Sequence, residues 1–375
     1  MSQFQDQKVP VLIASTLKPV EDVRAFGKLA KSLGETNKYS LFIIGFCPKK
    51  PKSPPGFRFF SSMSHFDSRL DRIGTQGRFL LRLLQIRPKI LICCTYELLP
   101  IASFFKSVLK YRLVYDVQEN YAANLDLNPS LTPKHKRRAE RLIQLSEASQ
   151  GIDLFLLAEK CYASEMPDKR PYLILENKFQ GVIKKQKPIN LRQKRDFRFS
   201  ITGTLTPAFG TLEAILWFLK IQNVYPDASL EVVGHCPLES FRMKLQKVGS
   251  KNPRIFLRLD SRPISHEEMI HCISKSDFSL LPYQNHPAIS GKMPTKLYEC
   301  AALGVPVLIS PNPIWQEFLA DFTGGHAIDF LETSLAVSQF EQALEQTFFT
   351  STPPEGILWK TEKTDFQKAI QNLLS

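Results

Sequence analysis

The sequence predicts an α/β fold built as two successive halves, and three observations predict it. The chain has 375 residues, more than one hydrophobic core usually serves. Strand-like apolar runs alternate with helix-like segments from residue 9, and the alternation starts afresh at residue 197 after a Lys/Gln-rich stretch. Residues 290–310, SGKMPTKLYECAALGVPVLIS, read as a loop, a helix and a wholly apolar strand in immediate succession, as expected of a buried parallel sheet.

Composition agrees with a globular protein: 43% of residues are hydrophobic and 23% charged. No apolar run approaches the length that crosses a bilayer, and the start MSQFQDQKVP has no basic segment followed by an apolar one, so a signal peptide is not expected. The seven cysteines (Cys47, Cys93, Cys94, Cys161, Cys236, Cys272 and Cys300) include no C-x-x-C pair and sit mostly in apolar runs. They read as small buried residues of a reducing compartment, and a cytoplasmic protein is the expectation.

In chain order, residues 9–14 read as a strand, 23–33 as a helix and 39–45 as a second strand. The first turn, Ser15 to Pro19, lacks G-x-G-x-x-G, which argues against a nicotinamide-binding unit. Residues 48–55 form a Lys/Pro loop. Residues 69–86 form a basic amphipathic helix with Phe79, Leu80, Leu83 and Leu84 on one side and Arg78 and Arg82 beside them, ended by Pro88. Then come a strand at 90–94, a helix at 98–109 and a strand at 113–115. The polar residues Asp116, Gln118, Glu119 and Asn120 follow that strand directly, where α/β sheets place ligands. Read blandly, they are a loop-capping Asp and a helix-start Glu. Residues 134–149 open with KHKRRAER and form a basic helix, and strands follow at 152–157 and 173–177.

The second half has a strand at 197–202, a loop with Gly203 and Gly210 seven apart, and a helix at 211–221. Two glycines between strand and helix let the backbone approach a phosphate. Thr204 and Phe209 leave that loop uncharged. Strands follow at 230–234 and 277–282, the latter ending at Tyr283, and residues 256–259 are a candidate for passing near a nucleobase.

In 290–310, Pro294 stands where a helix can begin and Gly304 where it can end. Lys296 and Glu299, three apart, share one face of the first turns. A helix N-terminus with a Lys suits phosphate, and a Glu one turn on suits two vicinal hydroxyls; together they describe a nucleoside diphosphate. The alternative is a solvated ion pair worth a few tenths of a kcal/mol.

PTKLYECAALGVPVL resembles the donor-site motif of the GT-B glycosyltransferases, close to family 4 (group 1), in which a Lys precedes a helix, a Glu on it binds the nucleotide ribose, and Gly-x-Pro-Val leads into a strand. The usual motif has two glutamates eight apart; here the first position is Gly291, a departure. Asp116 to Glu119 resembles the family's Asp-x-His-Glu segment, with Gln118 in place of the His that faces the acceptor. Gln is no base at neutral pH, so that role would pass to Glu119 or Asp116. The resemblance covers nearly the whole chain. It implies two Rossmann-like domains facing a central cleft: an acceptor domain over 1–183, a linker over 184–196, a nucleotide-sugar domain over 197–356, and a C-terminal helix over 357–375 packing back on the first domain. It implies glycosyl transfer with retention, in cell-surface polysaccharide synthesis. The donor contacts expected are Gly203, Thr204, Tyr283, Ser290, Gly291, Lys292, Lys296 and Glu299. Catalytic roles are expected of Asp116, Glu119 and Lys296, and acceptor contacts of Gln118 and Asn120.

No Asp-x-Asp occurs, so no metal and no cofactor is expected beyond the nucleotide-sugar substrate; Lys296, Lys292 and helix N-termini would neutralise the leaving diphosphate. Residues 1–190 hold 31 Lys+Arg against 17 Asp+Glu, and residues 191–375 hold 18 against 19, so the first half carries +14 and the second −1. One half therefore faces something anionic. No zinc-finger or RNP-type signature accompanies the basic runs, which argues against nucleic acid. An anionic membrane surface on the inner face of the membrane, met by Arg78, Arg82, Lys134, Lys136, Arg137 and Arg138, is the expected partner, against the alternative of a solvated basic surface. The rival functions are a GT-B nucleotide-sugar epimerase and a non-catalytic polysaccharide-assembly protein.

Overall fold

The computed structural model describes residues 8–47, 51–65, 69–128, 131–185 and 187–375. Most of the opening MSQFQDQKVP and residues 48–50 of the Lys/Pro loop lie outside the described residues. The chain divides into two units, Met1–Gln180 with Trp359–Ser375, and Gly181–Leu358.

The first unit is a parallel sheet of seven strands: β1 (Val9–Pro19), β2 (Tyr39–Phe46), β3 (Phe57–Ser61), β4 (Ile90–Cys93), β5 (Arg112–Val117), β6 (Leu154–Leu157) and β7 (Tyr172–Ile174), in the order β3-β2-β1-β4-β5-β6-β7. Near-continuous apolar runs serve β1, β4 and β6 because both sheet faces are covered. Along β1, Val11 and Ile13 enter one buried cluster and Leu12 and Ala14 the other, the two-residue alternation of a strand. The first cluster is closed by Trp359, Phe366 and Ile370 of the C-terminal helix Trp359–Asn372; the second is covered by the helices Arg69–Ile86 and Leu99–Leu109. Trp359 Nε1 donates to Ser32 Oγ at 2.9 Å, which fixes the returning helix to the unit built by the start of the chain.

The structure differs from the sequence reading in three places here. β1 continues through the expected turn to Pro19, with a register shift after Ala14. The helix after it begins as a π-helix, Val23–Ala30, capped by Asp22, before turning α over Lys31–Gly34. β3 was not visible in the sequence, since an edge strand of five residues with only Phe59 fully buried has neither a long apolar run nor a strict alternation.

The second unit is a parallel sheet of β9 (Arg198–Thr204), β10 (Ser229–His235), β11 (Ile255–Asp260), β12 (Phe278–Leu281), β13 (Val307–Ile309) and β14 (Gly325–Ala327), in the order β11-β10-β9-β12-β13-β14. Its core is aromatic: the Phe340 ring lies 5.0 Å from Phe197, 5.4 Å from Phe199 and 5.6 Å from Phe278. The stretch 184–196 is part of this unit. Within it β8 (Ile189–Asn190) pairs antiparallel with β15 (Thr347–Phe348), and Lys184 N donates to Ala302 O at 2.8 Å. Its polar composition concealed a pairing completed only by residues late in the chain.

Both sheets run 3-2-1-4-5-6 from one edge. In each, the order reverses at the first strand, and the carboxyl ends beside that reversal are where such sheets take ligands. The reversal falls between β1 and β4 in the first unit and between β9 and β12 in the second.

Candidate functional site

In the second unit, β9 ends at Gly203 and Thr204, and the glycine loop leads into the helix Thr211–Val224. The loop is seated on the segment after β12: Gln284 N donates to Ala208 O at 3.1 Å, and the Phe209 ring packs 4.8 Å from Tyr283. Gly210 has φ +63°, and a Cβ there would stand 1.8 Å from Pro282 O, so only glycine fits. Burial pushes the Tyr283 phenol up, which keeps it a hydrogen-bond donor at neutral pH.

The loop at 290–294 is held by the helix Pro313–Ala320 and its N-cap Asn312. Asn312 Nδ2 donates to Ser290 O at 3.0 Å while its Oδ1 caps the helix Pro313–Ala320, and Trp315 Nε1 donates to Lys292 O at 2.7 Å. Gly291 has φ −83° and ψ −10°, a conformation open to any residue, so the backbone does not explain the glycine there. Pro294 is the N-cap and Thr295–Leu303 the helix, one residue later than the sequence suggested, and Gly304 ends it in the left-handed region as expected.

Lys296 and Glu299 meet, but not as a solvated pair. Glu299 is 1% exposed. Lys296 Nζ lies 2.7 Å from one of its oxygens, and His266 Nε2 lies 2.7 Å from the other. Burial alone would raise this carboxyl; Lys296 first and His266 next outweigh it and hold it at about 2. Gly203 adjoins the pair: its Cβ position would lie 3.5 Å from Lys296 Cε. The geometry therefore gathers Gly203, Lys296 and Glu299, and adds His266, the first residue of the helix His266–Ser274. Nothing local in the sequence marks His266, because its partner is 33 residues away.

In the first unit, the expected cluster separates into roles. Asp116 is fully buried. Arg24 Nε contacts both its oxygens at 3.0 Å, Arg24 Nη2 donates to Oδ1 at 2.7 Å, and Gln118 Nε2 donates to Oδ2 at 2.7 Å. The expectation that Asp116 takes a proton is revised: its oxygens are enclosed by a buried cation and an amide, and Gln118 is turned inward with it. Asn120 caps the short helix Tyr121–Asn124 through Ala123 N and donates to Glu165, a positioning role. Glu119 is the accessible carboxylate of the group, its side chain 43% exposed, with Asn124 at 2.7 Å and Lys18 at 3.7 Å. Three residues that no sequence motif marks meet by the β1–β4 reversal: Thr16 Oγ1 donates to Glu97 at 2.7 Å, and Arg72 pairs with the same carboxylate at 3.3 Å.

The six expected surface cations also divide. Arg78 pairs with Asp71 at 2.6 Å, Arg82 bonds Gln85 and stacks on Phe60, and Lys136 is engaged by Asp126 and Glu140. Lys134, Arg137 and Arg138 are exposed. No described helix is long and apolar enough to cross a membrane. Among the described residues no group of three or more His, Cys, Asp or Glu is placed to hold a metal ion.

No family model matches the chain, and no curated protein sequence matches it. Solved structures do. Sucrose-phosphate synthase from Thermosynechococcus elongatus superposes with a TM-score of 0.68 over 98% of this chain and 99% of that one, at 11% identity. HepE of Anabaena, in complex with UDP and glucose, gives 0.62 over 98% and 99%, at 12% identity. WaaG, a glycosyltransferase involved in lipopolysaccharide biosynthesis, gives 0.61 over 96% and 95%, at 14% identity. This likeness shows the fold, the GT-B architecture of two Rossmann-like halves.

Proposed function

We propose that the chain transfers a glycosyl group from a nucleotide sugar to a glycan or lipid-linked acceptor in cell-surface polysaccharide synthesis. The observation that carries the reading is the buried Glu299 clamped by Lys296 and His266 beside the glycine loop. An ionised carboxylate has about four acceptor positions. Two serve Lys296 and His266, which leaves capacity for the two hydroxyls of a ribose. Nucleotide binding then exchanges part of the Lys296–Glu299 contact for Lys296 on phosphate and Glu299 on ribose. Gly203, Thr204, Tyr283 and the 290–292 backbone complete the donor contacts, and the N-terminus of Thr211–Val224 faces the diphosphate.

Charge developing on the leaving diphosphate is stabilised by Lys296 and these amides, without a divalent ion. Glu119 is the carboxylate that serves the acceptor. Retention at the anomeric carbon follows from the motif resemblance. Buried free thiols at Cys93, Cys94, Cys236, Cys272 and Cys300 support a reducing, cytoplasmic setting.

The test is calorimetry with UDP, GDP and ADP on the parent and Glu299→Ala. Loss of two charge-assisted hydrogen bonds should cost roughly 2–4 kcal/mol of affinity. A folded Glu299→Ala protein with parental nucleotide affinity would remove the basis of the assignment. A panel of nucleotide sugars with and without EDTA then reads the reaction. Release of free nucleoside diphosphate supports transfer, isomerised sugar points to an epimerase, and neither points to an assembly protein.

A further inference from the structure

Three helices of the first unit lie in a row, Arg69–Ile86 and Leu99–Leu109 on the sheet and Pro133–Glu147 beside them, the middle one packing on both others. Each turns a stripe inward, Phe79 and Leu83 on the first, Leu99 and Ala102 on the second, Ile143 and Ser146 on the third. The outward stripe of a surface helix is normally polar. Here it is not. The first helix exposes Leu70, Ile73, Leu81 and Leu84, spaced by threes and fours around Gly77, with Leu70 82% and Ile73 73% exposed. The second exposes Phe104 and Val108, one turn apart, and the third exposes Leu142 and Leu145.

The cations beside this face are not those the helix at 69–86 suggested. On Pro133–Glu147, Lys134, Arg137, Arg138 and Arg141 recur at i, i+3, i+4 and i+7, all exposed, on the side that carries Leu142 and Leu145. The acidic residues of that helix, Glu140 and Glu147, lie on its inner flank: Glu140 is paired to Lys136, and Glu147 to the buried Lys169 at 2.9 Å.

We infer that these three helices form a docking surface for an anionic lipid bilayer, the apolar stripes entering the headgroup region and the four cations of Pro133–Glu147 meeting lipid phosphates. An apolar helical face flanked by Lys and Arg lies in the plane of such an interface. A protein partner fits less well, since protein hot spots favour Trp and Tyr, and the apolar side chains exposed on these helices are mainly Leu, Ile and Val. Nucleic acid would take the cations and leave the large apolar side chains of all three helices in water. The inference sites the acceptor of the proposed reaction at a membrane, yet it rests only on burial and charge in the first unit, so it stands or falls apart from the donor assignment.

Vesicle sedimentation of the full chain tests it, with neutral phosphatidylcholine against the same lipid containing about 30 mol % phosphatidylglycerol, at low and high salt. Two variants are compared with the parent: Ile73→Ser with Leu81→Ser, and Lys134, Arg137, Arg138 and Arg141 all to Ser. All six positions are exposed, and circular dichroism checks the fold. The parent should bind anionic vesicles and release with salt. The charge variant should lose roughly fivefold per cation, and the apolar variant at least about tenfold. Nucleotide affinity by calorimetry should stay parental in both. No binding at low salt, equal binding to neutral vesicles, or variants that bind like the parent would overturn the proposal. So would sedimentation velocity showing that the parent self-associates through this face and the apolar variant does not.

Discussion

Glu299→Gln keeps the shape of a buried side chain and removes its charge, so it isolates what that charge does. Burial is opposed by Lys296 at 2.7 Å and His266 at 2.7 Å, and the carboxyl falls from an ordinary 4.5 to about 2. At about 1.36 kcal/mol per pH unit, that is about 3 kcal/mol of stability. The folded-state value lies below the unfolded one. The contribution is therefore complete above about pH 5, roughly half remains near pH 3, and it disappears as pH approaches about 2. Urea unfolding of the second unit reads it in a Trp359→Phe background, because Trp217 and Trp315 lie in that unit and Trp359 in the other. The stability gap between that background and its Glu299→Gln variant should be about 3 kcal/mol at pH 7 and visibly smaller at about pH 3.5. A gap that is equal at both pH values would refute the electrostatic account and leave Glu299 as a packing residue.

Other outcomes follow from the same geometry. His266→Ala should weaken nucleoside diphosphate binding several-fold by calorimetry, because Glu299 loses one of its two holders, while His266→Gln, which retains a donor, should recover most of it. Arg24→Ala strands the buried Asp116 carboxylate and should cost about 3–5 kcal/mol in urea unfolding of the first unit; Arg24→Met with Asp116→Leu should recover most of that loss. Gly210→Ala drives a Cβ toward Pro282 O at 1.8 Å and should cost about 1–3 kcal/mol or more, read as a fall in melting temperature, together with nucleotide affinity. Phe366→Ala should cost about 3–5 kcal/mol in the first unit and leave the second unit's unfolding unchanged.

The sequence alone determined what depends on near neighbours. Apolar runs of four to six residues marked β1, β4, β6 and β12, and Gly304 marked the end of its helix, because strand burial and the left-handed cap are local demands. Lys296 and Glu299 were readable because three residues on a helix is a fixed geometry. What it did not determine depends on residues far apart. Arg24 reaches Asp116 across 92 positions and turns an expected base into a buried ion pair. His266 completes the Glu299 clamp across 33 positions, and the pair that could have been solvated is buried. The helix at 69–86 shows the same division: its amphipathic spacing placed Phe79 and Leu83 on the covered side, but it placed Leu84 with them, and Leu84 is exposed. Only the packing of that helix on the sheet decided that Leu83 is buried and Leu84 is exposed, because how far the covered stripe of a helix extends depends on the neighbour that covers it.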